Sequence, residues 1–316
     1  MKKYNTIDLF AGIGGIRIGF ENTGRFKTIF ANDYDEKCGV TYNHNFKDVK
    51  LTVENISKLD IAITPKFDFL LAGFPCQPFS VAGYREGFED KKGRGNLFFY
   101  IVKFISYHKP IGFLLENVKN LKGHDHNKTF QIIKDTLKHT GYDIKAKVLN
   151  TMEYGNLPQN RERIIIVGFK NSSTLEKFKF PNKKKLTTNI TDLLDEKVDS
   201  KYYYNDKPLF ERIKNDINKI NTVYQWKKKV CKRNKKGVCP TLTANMGMGG
   251  HNVPIIKDNN GIRKLTPKEC LRFQGFPEWY KFPKLADSHL YKQVGNSVSV
   301  PVINSVAEKI IKALES

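Results

Sequence analysis

Phe67-Asp68-Phe69-Leu70-Leu71-Ala72-Gly73-Phe74-Pro75-Cys76 is the stretch on which the reading of this chain turns. The apolar run 67–72 predicts a fully buried strand. Gly73 and Pro75 then forbid regular structure, and the turn hands over one cysteine before Pro78 breaks the chain again. Cys76 therefore sits on a loop at the carboxyl end of a core strand, where open α/β sheets place ligands and catalytic groups. A thiol so presented is a candidate nucleophile. A lone cysteine beside apolar residues is also the commonplace small core residue, so its neighbours have to decide.

Working outward, strands are expected at 4–10, 26–32, 111–116, 146–150 and 164–169, with helices at 15–22, 36–44, 97–108 and 129–139. Such alternation predicts an α/β fold with a mostly parallel sheet covered on both faces. The character changes after Phe169. Residues 170–262 carry Lys183-Lys184-Lys185, Lys227-Lys228-Lys229 and Lys232-Arg233-Asn234-Lys235-Lys236, interleaved with Tyr202-Tyr203-Tyr204, Trp226 and a Gly-rich run at 245–250. Helical periodicity is absent there, which predicts a small irregular domain. Regular structure is expected to return at 267–274 and in a final helix from Pro301, with Val302, Val306, Ile310 and Leu314 as its apolar stripe.

The 316 residues carry a formal net charge of +22, with 40% hydrophobic and 12% aromatic content. The bland reading of that charge is a lysine-rich solvated surface. The functional reading is a polyanion partner, whose phosphates relieve the self-repulsion and release counterions. Basic clusters among aromatics favour nucleic acid. No apolar run reaches membrane-spanning length, and the N-terminus enters a strand directly, without the apolar core of a signal peptide. Cysteines 38, 76, 231, 239 and 270 are odd in number and form no Cys-x-x-Cys pair. They argue against a disulfide framework or a zinc site and for the reducing cytoplasm.

Three further stretches sit at expected strand ends. Asp8-Leu9-Phe10-Ala11-Gly12-Ile13-Gly14-Gly15 lets the backbone turn sharply and approach a ligand ahead of a helix. A dinucleotide fingerprint needs a third glycine where Arg17 stands, which leaves a smaller nucleoside cofactor. Asn32-Asp33-Tyr34 places a carboxylate where it can take both hydroxyls of a ribose. Glu116-Asn117-Val118 and Gln159-Asn160-Arg161-Glu162-Arg163 add a carboxyl group and two arginines, which in an extended segment share a face. A nucleophile, a proton donor and a carbonyl clamp at neighbouring strand ends make a catalytic constellation, whereas each alone is as well explained by a surface cap or an ordinary ion pair.

With these motifs in order, the chain resembles the bacterial DNA cytosine-5 methyltransferases of restriction–modification systems. The resemblance covers 4–169 and 262–316. It continues through Arg263-Lys264-Leu265-Thr266-Pro267-Lys268-Glu269-Cys270-Leu271-Arg272-Phe273-Gln274-Gly275-Phe276-Pro277 and Gln293-Val294-Gly295-Asn296-Ser297. Within 170–262 only Thr241-Leu242 matches a family feature. The resemblance implies a Rossmann-like S-adenosylmethionine-dependent fold and three parts. Residues 1–169 would form the catalytic and cofactor-binding domain and 170–262 the target-recognition domain. The C-terminal part, 263–316, would send its last helix back to the catalytic domain.

The same resemblance implies that Cys76 adds to C6 of a cytosine, activating C5 toward the methyl group of S-adenosylmethionine. A protonated Glu116 would hold N3 and N4, and Arg161 would clamp O2 with support from Arg163. Phe10 would stack on the adenine, with Gly12, Ile13 and Gly14 forming the loop beneath it. Asp33 would bind the ribose, Tyr34 and Asn55 would meet the adenine edge, Leu97 would line the pocket and Asn296 would complete it. The base must leave the duplex to be reached. Residues 78–96, rich in glycine and cations, suit a lid. Gln77, Arg85, Arg94, Thr241 and Leu242 are the implied DNA contacts. Double-stranded DNA is the expected partner of a monomer needing no metal, with any restriction endonuclease acting separately. The alternatives are a tRNA cytosine-5 methyltransferase, disfavoured because its Cys-Phe-Thr signature is absent, and a catalytically silent DNA-binding module.

Overall fold

A computed structural model describes residues 2–75, 97–227, 230–233, 237–248 and 251–316. The chain divides into two units, the first made of 1–149, 162–181 and 303–316, the second of 150–161 and 182–302. This division differs from the one expected. Residues 263–302 belong to the second unit, as do 150–161, while 170–181 stay with the first.

The first unit holds β1 (Tyr4–Leu9), β2 (Phe26–Asp33), β3 (Leu51–Val53), β4 (Phe69–Gly73), β5 (Gly112–Val118), β6 (Asp143–Asn150) and β7 (Glu162–Phe169). They lie in the order β3-β2-β1-β4-β5-β7-β6. Strands β1 to β5 pair in parallel, and β7 runs antiparallel to β5. This is a Rossmann-like α/β sheet. β4 is central because both of its faces are apolar: Phe69, Leu70, Leu71 and Ala72 are all fully buried. Complete burial of a Leu or Phe side chain stabilises by about 1.5–3 kcal/mol, so no edge position competes.

Leu70 and Ala72 join one core with Ile101, Val102 and Ile105 of the helix Leu97–His108. On the opposite face Phe69 packs within 6.0 Å, ring to ring, of Phe20, Phe26 and Phe169. The strand order reverses at β1, with β2 on one side and β4 on the other. In open α/β sheets such a reversal is where ligands lie, at the strands' carboxyl ends. Helix α1 (Gly15–Glu21) follows β1, and α2 (Glu36–Asn45) follows β2. The Asp35 carboxylate caps α2 by accepting from the Lys37 and Cys38 N–H groups. The final helix, Val300–Glu315, begins one residue before the expected Pro301, and its Asn304 amide donates to the Gly19 carbonyl of α1.

The second unit is more regular than expected. β8 (Tyr224–Lys227), β9 (Val230–Arg233), β10 (His251–Asp258) and β11 (Gly261–Lys264) form an antiparallel sheet ordered β11-β10-β8-β9. Tyr224 and Trp226 point into a core with Ile213, Ile217, Cys231, Val253, Ile255 and Ile262. The helix Pro267–Gln274 opens with a capping box, in which Thr266 and Glu269 satisfy each other's backbone N–H. Glu269 also receives the buried Arg263 guanidinium through two bonds of 2.9 Å.

Candidate active site

The loop after β1 has three residues in the left-handed region, Phe10 at φ 56°, Gly12 at 54° and Gly14 at 83°. Such a φ costs glycine little, but Phe10 holds it under steric strain. Three bonds fix the loop. Ala11 N–H donates to the Asn32 carbonyl (2.9 Å), Gly14 N–H to the Ala11 carbonyl (2.8 Å) and Gly12 N–H to Asp33 Oδ2 (2.8 Å). The other Asp33 oxygen accepts from Asp35 N–H. Burial raises the Asp33 carboxyl above its ordinary range, and these N–H donors oppose that rise.

With backbone N–H groups of Gly12, Tyr34 and Asp35 on it, the Asp33 carboxylate keeps acceptor capacity for a ligand hydroxyl. Among the described residues, apart from its two chain neighbours, no atom lies within 4 Å of where a Cβ on Gly12 would stand. Tyr34 is 68% exposed at the end of β2, Leu97 opens its helix half-buried, and Ile13 is buried. Asn55 is exposed, and its side-chain oxygen already accepts from Ser57 N–H. A ribose-sized diol acceptor, a glycine cradle and an exposed aromatic side chain fit a nucleoside such as S-adenosylmethionine carries.

Glu116 lies two residues before the end of β5, paired with Gly73 of β4. Its Oε2 stands 3.6 Å from the place of a Gly73 Cβ, and its Oε1 lies 3.1 Å from Arg163 Nε of β7. Burial works against the Arg163 charge, and the Glu116 carboxylate beside it works for it. Glu162 pairs instead with Lys119. Asn117 has a part that the sequence did not announce. Its amide donates to the Phe74 carbonyl (2.9 Å), tying the end of β5 to the turn two residues before Cys76. The signal was an Asn at a strand end, a side chain that seeks backbone groups.

The remaining described residues of the motif set lie in the second unit. Arg161 precedes β7, so strand alternation does not place it beside Arg163. It is 1% exposed, and its guanidinium donates to the carbonyls of Leu242 (2.8 Å), Gly295 (3.1 Å) and Ser297. Arg161 thus grips the chain on both sides of Asn296, which is exposed at the end of the helix Asp287–Asn296. Gln159 accepts from Leu242 N–H and donates to the Phe273 carbonyl. Thr241 donates its hydroxyl to the Asn160 carbonyl. Leu242 is buried with both backbone groups engaged. Against the expectation, Arg161 and Leu242 are anchors of this unit in the described structure, the one holding carbonyls and the other held. Cys76, Gln77, Arg85, Arg94 and the lid segment 78–96 lie outside the described residues.

A family model described as "C-5 cytosine-specific DNA methylase" matches residues 4–312. The chain is 52% identical over 314 residues to the Type II methyltransferase M.Bsp6I of Bacillus sp. (strain RFL6), covering 97% of this chain and 98% of that one. It is 41% identical to M.HaeII of Haemophilus aegyptius, over 99% of this chain and 95% of that protein. A solved structure of Spodoptera frugiperda DNMT2 superposes with a TM-score of 0.76 at 22% identity, covering 98% of this chain and 100% of the other, a likeness of fold. Strand order, glycine loop and ordered motifs agree with these matches, and the chain belongs to the C-5 cytosine-specific DNA methylase family, as an enzyme of the DNA (cytosine-5-)-methyltransferase class.

Proposed function

We propose that this enzyme methylates C5 of a cytosine flipped out of a specific duplex DNA sequence, through a covalent bond between Cys76 and C6. In this reading it is a cytoplasmic monomer that protects host DNA in a restriction–modification system whose endonuclease acts separately. The pairing of Glu116 with Arg163 carries the proposal. A cytosine presents an amino donor at N4 and acceptors at N3 and O2 along one edge. Once Glu116 takes up a proton, its carboxyl group meets N3 and N4, and the guanidinium beside it meets O2. We assign the O2 clamp to Arg163 rather than Arg161, because the Arg161 guanidinium is already spent on three carbonyls.

S-adenosylmethionine, when bound, supplies an electrophilic methyl group. The Cys76 thiolate adds to C6, and the electron pair of the C5–C6 bond moves to C5. The resulting charge spreads to N3, where the Glu116 proton neutralises it. The pair would then form the C5–methyl bond as the bond from the methyl group to the cofactor's sulfur breaks and leaves its electrons on that sulfur. Loss of the C5 proton to a base then returns the pair to the ring and expels the thiolate. Asn117 orients the turn that leads to the thiol. Phe10, Gly12, Ile13, Gly14, Asp33, Tyr34, Asn55, Leu97 and Asn296 are assigned to the cofactor. Gln77, Arg85, Arg94 and Thr241 stay assigned to DNA, for which the charge of +22 is suited.

Transfer of labelled methyl groups to duplex DNA and to tRNA tests the proposal. Label in duplex cytosine is expected, and label in tRNA alone overturns it. The two arginines should separate in the same assay. Arg163→Met should cost at least about a hundredfold in kcat with the fold retained, the scale of one lost electrostatic contact in a transition state. Arg161→Met strands three buried carbonyls and should cost roughly 2–5 kcal/mol of stability. Thermal melts of both variants check this division, which fails if Arg161→Met melts like the parent. For the cofactor, Asp33→Ala should weaken S-adenosylmethionine binding by roughly 1–3 kcal/mol, the scale of hydrogen bonds to a charged group. Calorimetry decides, and an unchanged affinity would mean that the pocket lies elsewhere.

A further inference from the structure

Arg17 stands where a dinucleotide site would have glycine, and the proposed chemistry makes no use of it. It is only 2% exposed, on α1 just beyond the glycine loop. Its Nε donates to Glu21 (3.1 Å), one terminal nitrogen to the Tyr42 hydroxyl (2.9 Å), and the other to both Asp48 oxygens at 2.7 and 2.8 Å. The flat face of the guanidinium lies 4.1 Å from the Phe46 ring centroid. That ring in turn lies 2.4 Å from where a Cβ on Gly14 would stand, so it packs directly on the backbone of the loop. Tyr42 and Phe46 belong to the end of α2, and Asp48 begins the segment that runs into β3 and on to Val53 and Asn55.

We propose that Arg17 is a positioning residue for the cofactor, pressing Phe46 onto Gly14 and joining the glycine loop to the chain that enters β3. The inference rests on the reading of the 10–14 loop and Asp33 as the cofactor pocket. A guanidinium is required because one group must serve four side chains at once, with a separate nitrogen for each of Glu21, Tyr42 and Asp48 and its central carbon over the Phe46 ring. Lysine offers a point charge and cannot do both. Loosening the stack leaves Gly14 without its backing, and the loop must then be ordered on binding.

The test is calorimetric titration of the full chain with S-adenosylhomocysteine, alongside thermal melts and the Asp33→Ala control. Asp48 is half exposed, so Asp48→Asn keeps the fold while removing the charge that holds one terminal nitrogen of Arg17. It should weaken binding about three- to tenfold, with Arg17→Lys weaker still. KM for S-adenosylmethionine should rise in step while kcat holds. A purely structural role predicts lower melting temperatures with unchanged affinity in the folded protein. Should Arg17→Lys fail to fold, Asp48→Asn decides. Binding within about twofold of the parent in the folded variants, with Asp33→Ala impaired, overturns the role of Arg17. Unimpaired binding by Asp33→Ala overturns the pocket reading, and this inference with it.

Discussion

Cys76→Ser is expected to abolish methyl transfer while leaving the thermal melt and the affinity for S-adenosylhomocysteine close to those of the parent. The reason lies in the ring. C5 of cytosine is too electron-poor to attack a methyl group until a nucleophile has added at C6. A thiol with an ordinary pKa near ~8.5 reaches the thiolate at modest cost, and a serine hydroxyl does not. Removing a covalent nucleophile should cost roughly three orders of magnitude or more in kcat. A duplex carrying 5-fluorocytosine gives a second readout. Fluorine blocks proton loss at C5, so the parent should be caught as a covalent protein–DNA complex and the variant should not. Methylation by Cys76→Ser at near the parental rate would sink the covalent route.

The motifs were legible because each is local. β4 could be read from five adjacent residues, since Phe69-Leu70-Leu71-Ala72 has no polar interruption and Gly73 and Pro75 cut it to strand length. The glycine loop and Asp33 could be picked out because a turn and a carboxylate stand at consecutive strand ends, and in the structure a hydrogen bond from Gly12 N–H to Asp33 joins the two. Arg161 could not be read in this way. The groups that fix it, Leu242 and Gly295, are 81 and 134 residues away, and no pattern around 159–163 points to them. An arginine that grips carbonyls and one that faces a carboxylate look the same in a string of letters. β8 and β9 were missed for another reason. Each is four residues long: β8 (Tyr224-Gln225-Trp226-Lys227) alternates over only two periods, and β9 (Val230-Cys231-Lys232-Arg233) does not alternate at all, so neither carries the period that marks a strand. β3, at three residues, is too short to carry a period.

Exchange of residues 182–262 for the matching segment of a relative with a different target should move methylation to that relative's sequence. The structure sets the boundaries. Residues 170–181 belong to the first unit, where Lys145 donates to the carbonyls of Leu175, Glu176 and Phe178, so a cut at 170 would tear that contact. Stopping before Arg263 spares its bonds to Glu269. Within the segment, Tyr224 and Trp226 of β8 serve the core while Gln225 and Lys227 alternate to the other face. The stretch after β9 is pinned at Thr241 and Leu242, buries Met246, and leaves Asn245 and Met248 exposed. Polar side chains on a pinned backbone are suited to reading base edges, and lysines around them to gripping phosphates. The donor segment must therefore keep a Thr-Leu pair for Gln159 and Arg161 to hold. Bisulfite sequencing of DNA from cells expressing the chimaera reads activity and target together. An active chimaera that still modifies the original sequence would place target choice outside this segment, whereas one that modifies the relative's sequence assigns it to the sheet and the loop that Arg161 holds in place.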